Sequence, residues 1–436
     1  MVPEATNSWI DAARTASTRL NDAEDGLRER REGALGRFQS NGFPGRKDEE
    51  WRYTSLKKLI DGPCHELLPA SVKIPDQVDL PIEATARVVI VNGVYQQQLS
   101  DCSSLPAEIK VGSLASLRKS DPAAIVDILS SSFPEQDHPF QSLSDAMFDD
   151  GILLDVCGNG SDQVTTVHLL HAFDGSGRPG SAHFTGIIRC AEGTRLRLIE
   201  EIRSEGEVLA NIRWGLDLGE NATVDRIRVI RPGCDAVFHG TRVVQHDGSQ
   251  FHDLMTCAGS NLVRNEIHAI LSGPRSHVEL LGAYVAAGKE VIDNHTTIDH
   301  AVEDCTSREV YRGVVSEKGR GVFTGMIHVH ADAQRTDAVQ SNDTLLLSRD
   351  AEIDSRPRLE IYADDVKCTH GATVGELDEE AIFYLRSRGI RPDEARKMLV
   401  RAFASEVLAN LDEDELREFI IEEIQQAIPE GGESAP

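Results

Sequence analysis

The chain has 436 residues, of which 45 are basic and 72 acidic, giving a formal net charge of −27. Nucleic acids and anionic membrane surfaces bind basic faces, so this charge argues against either as the main partner. The hydrophobic content of 40% is ordinary for a folded soluble protein. The length exceeds one compact core, so two or three structural parts are expected.

The sequence contains no recognisable export or membrane signal. The N-terminus lacks a basic segment followed by an apolar run, and no apolar stretch approaches the ~18 residues of a membrane span. The eight cysteines are scattered without a C-x-x-C pair, which argues against a structural zinc site or a disulfide framework. We therefore expect a cytoplasmic protein with mostly buried free thiols.

The N-terminal part is predicted to be helical over residues 1 to about 62, because apolar residues recur near helical spacing. In the motif Glu50-Trp51-Arg52-Tyr53-Thr54 the aromatic rings are predicted to anchor a helical lobe rather than to stack on a ligand. The less regular lead-in that follows contains a strand within Arg87–Val94, ended by Asn92-Gly93, and a short helix between Asp121 and Leu129.

A long β region is predicted from about Gly151 to Tyr362, where short runs alternate apolar and polar residues. Glycines punctuate part of it every 14 residues or so, approximately the length of a strand with its turn, at positions 193, 206, 219, 233, 248, 259, 273 and 288. No helical pattern intervenes. This favours a sandwich, a barrel or a solenoid, and the steady period favours the solenoid.

Three helices are predicted after Gly375. Asp378 can cap the first, Gly389 ends it, and Pro392 occupies the first turn of the second.

Familiar catalytic motifs do not account for the chain. Gly175–Gly180 matches G-x-G-x-x-G, but a strand pattern follows it, so no helix N-terminus is expected to receive a pyrophosphate. Walker A, H-E-x-x-H and G-x-S-x-G sequences do not occur, so no nucleotide-hydrolysing or acyl-transfer machinery is recognisable.

Two histidine pairs are candidate metal ligands. His328 and His330 alternate along a strand and could share one face, and His295 and His300 lie near Cys305. A structural or solvated role is the alternative for both pairs, because neither has an obvious third ligand.

Cys368 and His370 form the strongest candidate pair. Two residues apart in an extended segment, their side chains share one face. A thiol beside an imidazolium can have a lowered pKa and act as a nucleophile or soft-metal ligand. The alternative is a buried thiol next to a hydrogen-bonded histidine at a domain boundary.

The surrounding sequence resembles the SufB/SufD family of the SUF iron–sulfur cluster assembly system, in its SufD branch. The resemblance is strong after residue 280 and weaker before it. It is carried by Glu50–Thr54, Asn294-His295-Thr296, Gly321–Gly325, Ala333–Ala338, Leu345–Ser348, Leu359–Gly375 and Phe383–Ile390.

This resemblance implies a mainly β fold with helical ends. A right-handed parallel β-helix core over residues 151–370 would lie between an N-terminal helical region and lead-in (1–150) and a C-terminal helical domain (371–436). The implied function is a non-catalytic scaffold for iron–sulfur cluster assembly. It would pair with SufB through the β-helix and bind the ATPase SufC through the C-terminal helices, with ATP hydrolysis in SufC.

The resemblance also implies the site residues. His370 would lie at the interface with SufB as a transient metal ligand or proton-transfer group for a nascent iron–sulfur cluster, with Cys368 as its neighbour. The implied SufC-binding residues are Phe383, Tyr384, Arg388, Arg396, Leu399 and Phe403. The isolated chain could form a homodimer. A β-helix enzyme acting on polysaccharide and a metal-free protein-binding solenoid are the alternatives; the aromatic content of only 5% argues against the first.

Overall fold

The structure, a computed structural model, describes residues 4–20, 26–69, 71, 73–158, 164–409, 411 and 413–429. The helices are α1 (Glu4–Leu20), α2 (Arg28–Asn41), α3 (Lys57–Asp61), α4 (Leu114–Ser120), α5 (Pro122–Ser132), α6 (Pro139–Met147), α7 (Glu379–Ser387), α8 (Pro392–Leu408) and α9 (Asp414–Gln426). The strands are β1 (Ala86–Val91), β2 (Val94–Tyr95), β3 (Ile109–Ser113), β4 (Gly151–Val156), β5 (Thr165–Asp174), β6 (Gly180–Cys190), β7 (Arg195–Glu205), β8 (Val208–Leu218), β9 (Thr223–Ile230), β10 (Ala236–Gln245), β11 (Gln250–Ala258), β12 (Leu262–Leu271), β13 (His277–Ala286), β14 (Val291–His300), β15 (Thr306–Val315), β16 (Arg320–Val329), β17 (Asp337–Leu346), β18 (Glu352–Ile361) and β19 (Lys367–Gly375).

The central strands form a β-solenoid of about seven turns. Successive strands alternate between two sheets, so each strand pairs in parallel with the strand two further along the chain. One sheet has ten strands in the order β19-β17-β15-β13-β11-β9-β7-β5-β1-β2, and the other has nine in the order β18-β16-β14-β12-β10-β8-β6-β4-β3. The predicted fold, a solenoid with helical ends, is confirmed.

The spacing of about 14 residues between turn glycines in the sequence corresponds to one strand with its turn, which is half of a coil. Residues paired across neighbouring coils, such as Leu262 with Val291, are 29 positions apart. Gly248 shows why a turn needs glycine: its φ is +66°, and an added Cβ would lie 2.4 Å from the side-chain oxygen of Asn221. Gly180 opens strand β6 rather than a helix, so rejecting the dinucleotide motif was correct.

The interior of the solenoid contains paired charges as well as apolar side chains. Asp253 accepts hydrogen bonds from the Nε atoms of Arg226 at 2.6 Å and Arg228 at 3.0 Å, and all three side chains are buried. Burying a charge is costly unless a partner compensates it, so these three residues depend on one another for the stability of the coil.

The helical N-terminal region packs on the outer face of the nine-stranded sheet. Trp51 is buried there, with the Arg264 guanidinium carbon 3.7 Å from the centre of its ring. Thr54 donates a hydrogen bond to Asp293 of the same sheet. The anchoring role predicted for the aromatic motif is confirmed for Trp51.

Helices α8 and α9 run back along the outer face of the ten-stranded sheet. Val400, Val407 and Ile420 form one buried apolar cluster with Leu281 and Val285 of the sheet. Asp378 caps α7 by accepting from the Glu380 amide, and Pro392 begins α8, as predicted. Among the described residues, no helix is long and apolar enough to cross a membrane.

The two ends of the solenoid differ. At the N-terminal end the short antiparallel strands β2 and β3 close the two sheets. At the other end β18 and β19 are the last strands, and no further described strand pairs with either. The division at residues 150 and 370 stays a prediction; β1 to β3 precede residue 151, and β19 continues to Gly375.

Candidate functional site

Strand β19 carries the Cys-x-His sequence at the open end of the solenoid. It pairs with β17 on one side only, in register with Lys367 opposite Asp337 and His370 opposite Gln340. The His370 side chain is exposed. An edge strand offers unpaired backbone N–H and C=O groups to another chain, so His370 lies where a partner could cover it.

The side chains of Cys368 and His370 share the face of β19 that continues the interior of the solenoid. Cys368 is opposite the buried Ala338 and packs against the main core, whereas His370 is opposite the buried Gln340. Burial and the nearby charge of Asp337 raise the pKa of the Cys368 thiol. Of the two alternatives that the sequence left open, the thiol with a lowered pKa does not fit these surroundings, because Cys368 is half-buried beside an acid.

Two coils below His370, beneath Gln340, lies a buried acid that the sequence pattern did not single out. Glu309 occupies the interior position opposite Gln340, whose Nε2 donates to its carboxylate at 2.7 Å. Burial raises the pKa of Glu309 to about 7, so its carboxyl exchanges a proton near neutral pH. The alternation Ser307, Glu309, Tyr311 could have revealed it, because all three are buried on one strand face.

The open end also exposes apolar side chains. Val374 on β19 is 51% exposed, and Val339, Ile361 and Tyr362 are exposed nearby in the last coils. Strand β18 contains Pro357, which has no N–H to donate, while β19 contains no proline. The end of the solenoid therefore combines an apolar surface with one edge strand that is free to pair.

The residues predicted to contact an ATPase lie on α7, at its C-terminal cap and on α8, but they do not all face outwards. Phe383 and Tyr384 are 72% and 58% exposed, and Arg388 lies over the Tyr384 ring at 5.3 Å. Leu399 and Arg396 are half-buried, and Arg396 lines a cavity of about 590 Å³ between these helices and the solenoid. Phe403 packs against the sheet, with Arg312 over its ring.

The two histidine pairs behave differently. His295 lies on the outer face of β14 near Asp293, whereas His300 faces the interior and pairs with Ser307, so they cannot share a metal ion. Cys305 is buried, 3.3 Å from the hydroxyl of Ser276. His295 and His300 are close along the chain, but a separation of five residues places two side chains on opposite faces of a strand.

His328 and His330 do lie together, with ring centres 4.2 Å apart. Asp299 supplies the third group that the sequence did not reveal; it accepts hydrogen bonds from His268 Nε2 at 2.6 Å and His328 Nδ1 at 3.0 Å. Burial opposes ionisation of Asp299, but these hydrogen bonds outweigh it and lower the pKa of its carboxyl.

Comparison with known proteins decides the family. The family model for the SufBD core domain of SUF system FeS cluster assembly matches residues 174–403, and the model for the SufBD N-terminal region matches residues 4–162. The chain belongs to the SufBD family.

Two relatives of this SufBD chain are named for iron–sulfur cluster assembly, and a third carries a different name. It is 31% identical to the iron–sulfur cluster assembly protein SufD of Escherichia coli, covering 89% of this chain and 90% of the relative. It is 29% identical to an iron–sulfur cluster assembly SufBD family protein of Synechocystis, covering 87% and 86% respectively. A chloroplastic protein of Arabidopsis thaliana, ABCI7, is 34% identical over 41% of this chain and 38% of its own length.

Proposed function

We propose that this SufBD chain is a non-catalytic scaffold subunit on which an iron–sulfur cluster is assembled at an interface with SufB. The observation that carries the proposal is the open end of the solenoid, where an unpaired edge strand exposes His370. Family membership supports the scaffold and gives no support to the polysaccharide-active alternative.

The partner surface proposed for SufB consists of the edge of β19 and the apolar side chains beside it. Backbone pairing along β19 would extend the ten-stranded sheet into a second solenoid. Covering Val374 and Ile361 would remove exposed apolar area from water, which favours association. In the absence of SufB, a second copy of this chain could occupy the same end and form a homodimer.

The nascent cluster is the cargo of this interface. His370 would supply an imidazole ligand or transfer a proton, and the cluster's other ligands would come from SufB. In the coil beneath, Gln340 lies opposite His370 and donates a hydrogen bond to Glu309, whose raised pKa allows proton exchange near neutral pH. Cys368 lies beside His370 and would bind metal only as a thiolate. Its raised pKa makes loss of the thiol proton less favourable than for a free cysteine.

The C-terminal helices are proposed to bind SufC. Phe383 and Tyr384 expose aromatic rings, and aromatic side chains are common anchors of protein interfaces. Because α8 and α9 also pack on the ten-stranded sheet, a force applied to them by an ATP-driven SufC dimer would act directly on the solenoid. We propose that this movement opens the interface with SufB to admit iron and sulfide.

The test compares the isolated chain with the chain co-purified with SufB and SufC. After anaerobic reconstitution with iron and sulfide, iron–sulfur absorption should appear only in the complex. V374E, which places a charge on the open end, should weaken co-purification with SufB while leaving SufC bound. Assembly without any cluster absorption would favour the metal-free solenoid. Normal SufB binding by V374E would refute the proposed surface.

A further inference from the structure

A second group of ligand-type side chains lies outside the proposed interface. Asp299, His328 and His330 lie on the outer side of the nine-stranded sheet, where β14 and β16 end. One ligand atom from each of them lies within 4.8 Å of the other two. This is the only such group of three among the residues that the structure describes.

The backbone holds these donors in place. Asp299 and His328 are directly opposite each other in the parallel ladder, and His330 follows His328 by two residues. The His330 amide donates to the carbonyl of His300 at 3.0 Å, so the end of the strand is also fixed. Ligands on rigid strands need little reorganisation to bind an ion.

A fourth side chain orients the carboxylate. His268, on the neighbouring strand β12, donates to Asp299 Oδ2 at 2.6 Å, which leaves Oδ1 directed towards His328. Such a hydrogen bond to the outer atom of a ligand is typical of protein metal sites. The Tyr362 ring packs edge-on against His328, with ring centres 5.6 Å apart.

The donor set defines the class of ion. Two imidazoles and one carboxylate suit divalent first-row transition metals such as Fe²⁺, Co²⁺ and Zn²⁺, whereas Mg²⁺ and Ca²⁺ prefer oxygen ligands. Three protein ligands leave coordination positions open for water or for a group that receives the ion. His330 is exposed, so an ion can reach the group from solvent.

We propose that Asp299, His328 and His330 bind one divalent transition-metal ion, with His268 as the residue that positions the carboxylate. Binding of the ion does not depend on the proposed scaffold function; only ferrous iron as its physiological occupant rests on that function. The location suits delivery of the ion to the proposed interface with SufB. Tyr362 contacts His328, and Cys368 follows Tyr362 by six residues in the chain.

The test uses the untagged full-length chain, stripped of metal and without partners. Co²⁺ is titrated and followed by its visible absorption, and anaerobic Fe²⁺ is titrated by calorimetry. We expect one equivalent of each ion to bind. H328A/H330A should abolish this binding, while H268A should keep the stoichiometry and weaken the affinity by about 10- to 100-fold.

The matched control is H252A/H277A. These histidines lie on the other sheet with ring centres 5.6 Å apart, and His252 pairs with Asp225 at 2.7 Å, so the substitution removes the same residue types. It should leave binding unchanged. The proposal is overturned if the wild-type chain binds no stoichiometric ion, or if binding survives in a folded H328A/H330A variant. Cluster formation is not measured here, so failure would not bear on the scaffold function.

Discussion

Glu309 makes the stability of the chain depend on pH in a way that E309Q should remove. Its folded pKa of about 7 lies above the usual value of 4.5, so the folded state holds the proton more tightly than the unfolded state. The stabilisation is complete below about pH 4.5 and is lost as the pH rises through 7. A glutamine side chain is uncharged at every pH, like the protonated carboxyl group. Its oxygen can still accept the hydrogen bond from Gln340.

The magnitude follows from the size of the shift. One pKa unit corresponds to about 1.4 kcal/mol, so raising the pH from 5 to 8 should cost the wild type about 2 to 3 kcal/mol of unfolding free energy through this group. E309Q should not incur this loss. The measurement is urea denaturation of both proteins at pH 5, 6, 7 and 8, followed by circular dichroism.

An exposed acid provides the control. E220Q removes the same formal charge from a turn on the surface and should follow the wild-type pH dependence. The difference in stability between E309Q and the wild type should grow from pH 5 to about pH 7 and level off towards pH 8. If that difference is the same at pH 5 and pH 8, Glu309 does not carry a raised pKa and the proton-exchange role proposed for it fails.

Two further substitutions test separate parts of the structure. D253A leaves Arg226 and Arg228 without their buried partner. It should therefore lower the unfolding free energy, measured by urea denaturation, by about 3 to 5 kcal/mol. A loss below about 1 kcal/mol, which is typical of surface ion pairs, would contradict the buried network. F383S/Y384S should lower the affinity for SufC at least tenfold in calorimetry without changing the melting temperature, because both rings are exposed. Unchanged affinity would exclude this patch as the contact.

Local sequence pattern predicted much of the fold. The spacing of turn glycines and the alternation of apolar residues indicated a solenoid, because each strand with its turn has nearly constant length. Alternation also placed Cys368 and His370 on one face, which the structure bears out. Asp378 and Pro392 marked helix starts correctly, because capping and first-turn preferences depend only on neighbouring residues.

The parts of the site that escaped prediction depend on contacts between coils. Asp299 lies opposite His328 because the two are 29 residues apart in the chain, a register that becomes known only once the length of a coil is known. The link from Gln340 to Glu309 spans 31 residues in the same way. The pKa of Cys368 depends on burial and on Asp337 from the preceding coil, which its own neighbours in the sequence do not reveal.

The most direct test of the scaffold is H370A in the complex with SufB and SufC. His370 is exposed on the edge strand, so the variant should fold and assemble normally, while iron–sulfur absorption after anaerobic reconstitution should fall severalfold. The control is H246A, which removes an exposed histidine far from His370 in the sequence. The H246A complex should form the cluster as the wild type does. Wild-type cluster formation by an intact H370A complex would contradict the role assigned to this end of the solenoid.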